Sequence, residues 1–89
     1  MKVRFFAYIR DYTGTKEIEC HGCPTLKELL SDLCEKYGGK FRDKVFDGEN
    51  LSGEIIILIN GRHVTHYDGI NSRLKEEDEI SIFPVVAGG

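Results

Sequence analysis

The sequence predicts an α+β fold in which one main helix packs on one face of a mixed sheet. Three observations point to it. Residues 2–10 alternate with period two, residues 26–37 carry an apolar stripe at helical spacing, and β-branched runs return at 54–59 and 80–83. The 89 residues suffice for one modest core and not for two. With 40% apolar and 30% charged residues, the chain is too apolar to be disordered.

In the first strand Val3, Phe5, Ala7 and Ile9 fall on one face, and Arg4, Phe6, Tyr8 and Arg10 on the other. Asp11-Tyr12-Thr13-Gly14 reads as a turn, with Gly14 suited to a positive φ. Lys16–Cys20 reads as a second strand returning as a hairpin. The clearest local signal is Pro24-Thr25-Leu26-Lys27-Glu28, where Thr25 as N-cap and Glu28 after it form a capping box. Leu26, Leu29, Leu30, Leu33, Cys34 and Tyr37 then share one helix face. Gly38-Gly39 closes the helix by supplying a left-handed residue.

Between 40 and 53 the pattern is less regular. Phe41, Val45 and Phe46 are spaced to dock a short helical turn, with Asp47-Gly48-Glu49-Asn50 as a loop tip. Glu54–Ile59 is a β-branched run that predicts a strand buried on both faces or nearly so. Asn60-Gly61 signals a two-residue hairpin returning through Arg62-His63-Val64. Asp68-Gly69-Ile70 turns again, and the acidic stretch Glu76–Glu79 is most simply a solvated loop. The final strand has Ile80 and Ile82 inward and Ser81 and Phe83 outward, and Pro84, lacking an N–H, ends its pairing. The domain is thus expected over 1–84, with a flexible tail over 85–89.

Several function classes recede. The longest apolar stretch, Ile55–Ile59, is strand-sized, so no membrane partner is expected. A net charge of −3 without any basic block argues against nucleic acid, whose phosphates need clustered Lys and Arg. Met1-Lys2-Val3-Arg4 reads straight into a strand, so no signal peptide is expected. Three cysteines, an odd number, then fit a reducing, cytoplasmic setting. Cys20-His21-Gly22-Cys23 and the pair His63 and His66 would suit zinc in type. Cys-x-x-Cys pairs are often incidental, however, and no metal site is expected. Cys34 lies on the helix stripe and reads as a small core residue. No Ser-His-Asp set can be assembled.

The ending Ala87-Gly88-Gly89 is the most distinctive feature. Neither glycine has a Cβ, so an extended Gly-Gly carboxylate can enter a narrow enzyme channel. Val85 to Gly89 would reach about 17 Å when fully extended.

Four stretches, in order, now carry a resemblance. They are Val3-Arg4-Phe5-Phe6-Ala7 with Arg10 and Gly14, the Pro24-Thr25 helix start, Asn60-Gly61-Arg62, and Phe83-Pro84 through Ala87-Gly88-Gly89. Together they span nearly the whole chain, which resembles the small subunit of molybdopterin synthase, a ubiquitin-like β-grasp sulfur carrier. The sequence departs from that pattern at Val85, where a second proline is usual, and at Glu76-Glu77-Asp78, which lacks a glycine.

The resemblance implies a β-grasp fold with the first and last strands adjacent and parallel, and with the second strand and the His63 hairpin toward opposite edges. It implies a carrier rather than an enzyme, with Gly89, behind Gly88, as the reacting residue. An E1-like adenylyltransferase would activate Gly89 with ATP-Mg, a sulfur donor system would convert it to a thiocarboxylate, and the large synthase subunit would consume the sulfur. This chain would bind no cofactor itself. Gly38-Gly39-Lys40 is no P-loop, because that motif needs glycine at Cys34 and Ser or Thr at Phe41. With the outer strands adjacent, Phe6, Tyr8 and Phe83 would form one aromatic patch with His63 at its edge, since aromatics commonly anchor interfaces. Pro84, Val85, Val86 and Ala87 would complete the partner contact. Within the same fold, sulfur delivery for thiamine or tRNA thiolation, a modifier joined to lysines through Gly89, and a plain interaction domain are the alternatives.

Overall fold

The computed structural model describes residues 1–85. The chain runs β1 (Lys2–Phe5), α1 (Ile9–Thr13), β2 (Glu17–Glu19), α2 (Leu26–Tyr37) and α3 (Gly39–Val45), then β3 (Phe46–Asp47), β4 (Asn50–Leu51), β5 (Ile55–Ile59), β6 (Arg62–His63) and β7 (Glu79–Pro84). The main sheet has the order β2-β1-β7-β5-β6, and β3 pairs with β4 in a separate small hairpin. β1 and β7 are adjacent and parallel, in register from Lys2 opposite Glu79 to Phe5 opposite Ile82. The remaining pairs in the main sheet are antiparallel. This is the expected β-grasp arrangement, with β7 at the centre.

One face of the sheet carries the core. Val3, Phe5, Ile55, Ile57, Ile59, Ile80 and Ile82 are buried there, against Leu26, Leu29, Leu30, Leu33 and Cys34 of α2 and Phe41 and Val45 of α3. Phe5 meets Tyr37 and Phe41 edge-on, with ring centroids 5.9 and 6.3 Å away. Each aliphatic side chain closed off here contributes about 1.5–3 kcal/mol. The Thr25 hydroxyl accepts from the Glu28 N–H at 3.3 Å, so the predicted cap starts α2. Asn60 (φ 51) and Gly61 (φ 84) make the predicted two-residue turn, whose primed geometry needs both φ values positive.

Several expectations need correcting. The first strand stops at Phe5 instead of running to Arg10. Ala7 takes a φ of 50°, which breaks the ladder, and Ile9 enters the core from α1 instead. The expected turn at 11–14 is the end of that helix, with Gly14 (φ 72) as its left-handed cap. Gly38 does not close α2 in the left-handed region: at φ 93 and ψ −169 it links α2 directly to α3. β5 is buried on one face only, since Ile56 and Leu58 remain partly exposed.

Nor is the acidic stretch a plain solvated loop. Asp78 is buried, accepting from the Lys75 N–H at 2.8 Å and the Asn60 amide at 2.9 Å. Finally, Pro84 does not end the pairing, because the Val85 N–H donates to the Glu54 carbonyl at 2.8 Å. Successive N–H groups alternate in direction along a strand, so the one Pro84 lacks would face the β1 side, which β1 has already left.

Candidate functional site

The site is the sheet face away from the helices, together with the chain leaving it at Val85. Strand parity and register place its residues. Phe83 lies opposite Ile56, Ser81 opposite Leu58, and Leu58 opposite His63, while Arg4 flanks Ser81 from the parallel side. Phe6, just past β1, stays tied to the sheet through its N–H to the Ile82 carbonyl at 3.0 Å. Its ring stacks on Phe83 with centroids 4.2 Å apart and planes 10° from parallel. Phe6, Phe83, Ile56 and Leu58 are each only half-buried, so the face has an apolar centre open to solvent. Open apolar area of this kind commonly marks an interaction site.

The predicted residues divide. Phe6, Phe83 and His63 come to this face as expected. Tyr8 does not: the Ala7 turn carries it to the start of α1, where it meets Tyr12 edge-on at 6.3 Å and lies 5.3 Å beneath the Lys44 ammonium. Pro84 is buried at the end of β7, and Val85 is exposed beside it. Val86, Ala87, Gly88 and Gly89 lie outside the described residues. Ile56 and Leu58 join this face although an isoleucine-rich run reads as buried on both sides. His63 is held in place by its own neighbourhood, its Nδ1 accepting from the Thr65 N–H at 3.1 Å.

The take-off point of the tail is braced by the α3–β5 connection. The Glu54 carbonyl holds the Val85 N–H, and the Glu54 N–H donates to the buried Ser52 hydroxyl at 3.1 Å. That hydroxyl in turn donates to the Lys44 carbonyl. The Lys44 ammonium bonds the Glu54 carboxylate at 3.3 Å, which raises the lysine's pKa. The last described residue of the chain is therefore gripped by backbone and buried hydroxyl bonds.

The other titratable cluster lies at the opposite end of the molecule. Cys23 is buried, donates to Asp32 Oδ2 at 3.3 Å, and has its thiol pushed up to about 11 by burial and then by that bond. Burial also raises the Cys20 and Cys34 thiols, so none of the three is poised as a thiolate. Glu76, bonded by the Gly22 N–H at 3.1 Å, has its pKa lowered by that contact. The strand order puts Cys20, after edge strand β2, and His63, on edge strand β6, across the full width of the sheet. No group of three or more His, Cys, Asp or Glu side chains among the described residues is placed to hold a metal.

The domain thus combines a mixed sheet covered on one face by α2 and α3 with an open apolar face on the other side. The ThiS family model matches residues 3–89. The chain belongs to the ThiS family. Small archaeal modifier protein 3 of Haloferax volcanii is 36% identical to it, covering 100% of this chain and 98% of that protein. A protein of Archaeoglobus fulgidus, provisionally named a sulfur carrier protein, is 38% identical over the same shares of the two chains. Among solved structures, a chain of the Amycolatopsis orientalis BexX/CysO complex superposes with a TM-score of 0.86 at 28% identity, covering 99% of this chain and 98% of that one. This ThiS-family chain is thus a ubiquitin-like domain of the sulfur carrier and modifier group, with the β-grasp fold those neighbours share.

Proposed function

We propose that this chain is a sulfur carrier that works through a C-terminal thiocarboxylate on Gly89, and that its acceptor is the pterin precursor of the molybdenum or tungsten cofactor. The observation that carries the reading is the continuity of the open apolar face, through Phe83, with the exposed Val85 at the end of the central strand, four residues ahead of Gly89. A partner can hold the domain by that face while the narrow tail enters its active site.

A carboxylate is a poor acyl donor at neutral pH. An adenylating partner using ATP-Mg would let a Gly89 oxygen attack the α-phosphorus, releasing pyrophosphate and leaving an acyl-adenylate. A hydrosulfide-level donor would then attack the carbonyl and displace AMP, giving the thiocarboxylate. In the large subunit of molybdopterin synthase that sulfur would pass to the pterin precursor, and water would restore the carboxylate. The carrier's own residues supply docking and reach; general acids and bases belong to the partners. A second reading, conjugation of Gly89 to lysines of target proteins, is favoured by the name of the Haloferax relative.

Mass spectrometry of the isolated C-terminal peptide, from protein purified out of sulfur-replete native cells, tests both. Sulfur in place of one Gly89 oxygen is the expected result. Gly89 joined to a lysine would replace carriage with modification, and an unaltered carboxylate in every fraction would overturn both. Loss of molybdopterin on deleting the gene, with thiamine and tRNA thiolation intact, is the expected sign of the acceptor; the converse reassigns it.

A further inference from the structure

Two of the three thiols lie together, away from the tail root and the open face. Val3 is fully buried and pairs with Ile18, so Ile18 faces the helix layer. Cys20 lies two residues on, its N–H bonded to the Met1 carbonyl at 2.8 Å, and side chains two apart on a strand share a face. It is half-buried and packs against the core at the edge of the sheet. The chain then bends at Gly22, whose φ of 74° lies in the left-handed region that glycine enters at little cost. The Glu76 carboxylate accepts from the Gly22 N–H at 3.1 Å and holds this bend. Past it Cys23 turns back into the core, with its Sγ–H donating to Asp32 Oδ2 of α2 at 3.3 Å.

Both thiols therefore face one stretch of α2. The charges around them agree: after burial, Cys20 responds to Lys36 and Asp32, and Cys23 to Asp32 and Cys20. Cys34 is placed otherwise, on the buried stripe of α2, and after burial responds to Arg42. An open cleft of 250 Å³, lined by Gly22, Cys23, Pro24, Leu74 and Glu76, leads from solvent to Cys23. Burial opposes a thiolate, which is charged, and does not oppose a disulfide, which is neutral and apolar. Surroundings that slow thiol exchange here also suit the oxidised product.

We infer that Cys20 and Cys23 form a reversible internal disulfide by exchange with a low-molecular-weight disulfide that enters at this edge of the sheet. The Cys20 thiolate attacks one sulfur of the oxidant, forming a mixed disulfide and releasing one thiolate. Cys23 gives its proton to the Asp32 carboxylate it already bonds, and its sulfur attacks Cys20 Sγ and expels the second thiolate. The two protons pass through water to the released thiolates. The protein thus loses two hydrogens and two electrons, and the oxidant becomes two thiols. The fold already holds both sulfurs against α2, so much of the ordering cost of closure is met beforehand. The inference does not depend on the carrier reading, since every group it uses belongs to this chain.

The test is equilibration of the native protein in graded mixtures of oxidised and reduced glutathione, followed by acid quench, alkylation and mass spectrometry. At the oxidising end the expected product is a monomer lighter by two hydrogens. Its tryptic peptide 17–27, which carries both Cys20 and Cys23, shows that loss and takes no alkyl group, while Cys34 is alkylated. The same titration in urea measures what the fold adds. The native midpoint is expected at a glutathione mixture about tenfold more reducing than the midpoint of the unfolded chain. A native pair that stays reduced throughout, stops at glutathione adducts, or joins Cys34 or a second copy overturns the inference. So does a native midpoint no more reducing than that in urea.

Discussion

The two faces of β5 make a controlled comparison within a run of nearly identical residues. Ile55, Ile57 and Ile59 point to the helices and are 8%, 1% and 2% exposed. Ile56 and Leu58, between them, point the other way and stay half-open to solvent. Side-chain type is the same on both faces, so the difference comes from the layer above each. α2 and α3 close the inner face, and nothing in the described chain closes the outer one. The packed core and the open apolar surface are thereby separated by one residue of register. If the outer face is the docking surface proposed above, mutations on the inner face are expected to change the fold's margin and those on the outer face to change binding.

The harshest way to break that division is Ile57→Ala. It leaves a cavity beneath α2 and α3, and unfolding in denaturant is expected to lose about 2–5 kcal/mol. A loss as small as that of an outer-face change would mean that the helix layer is not the main source of stability. On the outer face, Phe83→Ala removes a half-open ring and its stacking on Phe6. It is expected to cost about 1–2 kcal/mol of stability, while partner binding weakens by far more than Ile57→Ala weakens it in protein that remains folded. Equal binding defects in the two variants would erase the division.

The smallest effect sharpens the comparison by chemistry. Cys23 packs at the rim of the inner layer, and its thiol is pushed up to about 11 from the ordinary 9.0. Burial is the first cause, and donation to Asp32 the second. Because the folded pKa is the higher one, the thiol's contribution is intact below pH 9 and is lost as pH rises toward 11. Urea unfolding across that window should show stability falling with pH, and Cys23→Ala should fall less steeply. Parallel slopes for the two proteins would show that the thiol is not closed off in the folded state.

Much of this architecture can be read from local chemistry. Thr25 and Glu28 mark the start of α2, Asn60-Gly61 marks the hairpin, and the alternation of Ile80–Phe83 places Phe83 outward. Where the reading fails, two physical descriptions fit one pattern. Ala7 and Ile9 continue the period of β1, and no glycine or proline announces the positive φ that alanine adopts at 7. The pattern therefore reads Tyr8 as strand, although it opens a helix. Asp78 sits in a run of acids that looks solvated, and only the folded chain brings Asn60 to it.

The candidate site follows the same logic. Phe6 and Phe83 are legible from parity, but Ile56 and Leu58 become a surface only once the helices are seen to lie on one side. Alternation places Arg10 on the outward face, but its bond to the Phe5 carbonyl and its place over the Phe6 ring follow from the turn at Ala7, which alternation does not announce. The roles given to Val86, Ala87, Gly88 and Gly89 rest on sequence and kinship, since those residues lie outside the described structure.

The parallel pairing of β1 with β7 has a consequence for how the molecule is made. Within the described domain the central strand comes last in chain order, and its neighbour on one side comes first. Pairing between such distant segments requires closing most of the domain as one loop, which slows folding and cannot begin before residues 79–84 have been made. Until residues 79–84 emerge from the ribosome, β1 and β5 have nothing between them, and the inner leucines of α2 stay open to chaperones and proteases. The same segment carries Phe83 and the root of the tail. A chain cut short before β7 would therefore lack both the central strand of its sheet and the outward Phe83 of its open face.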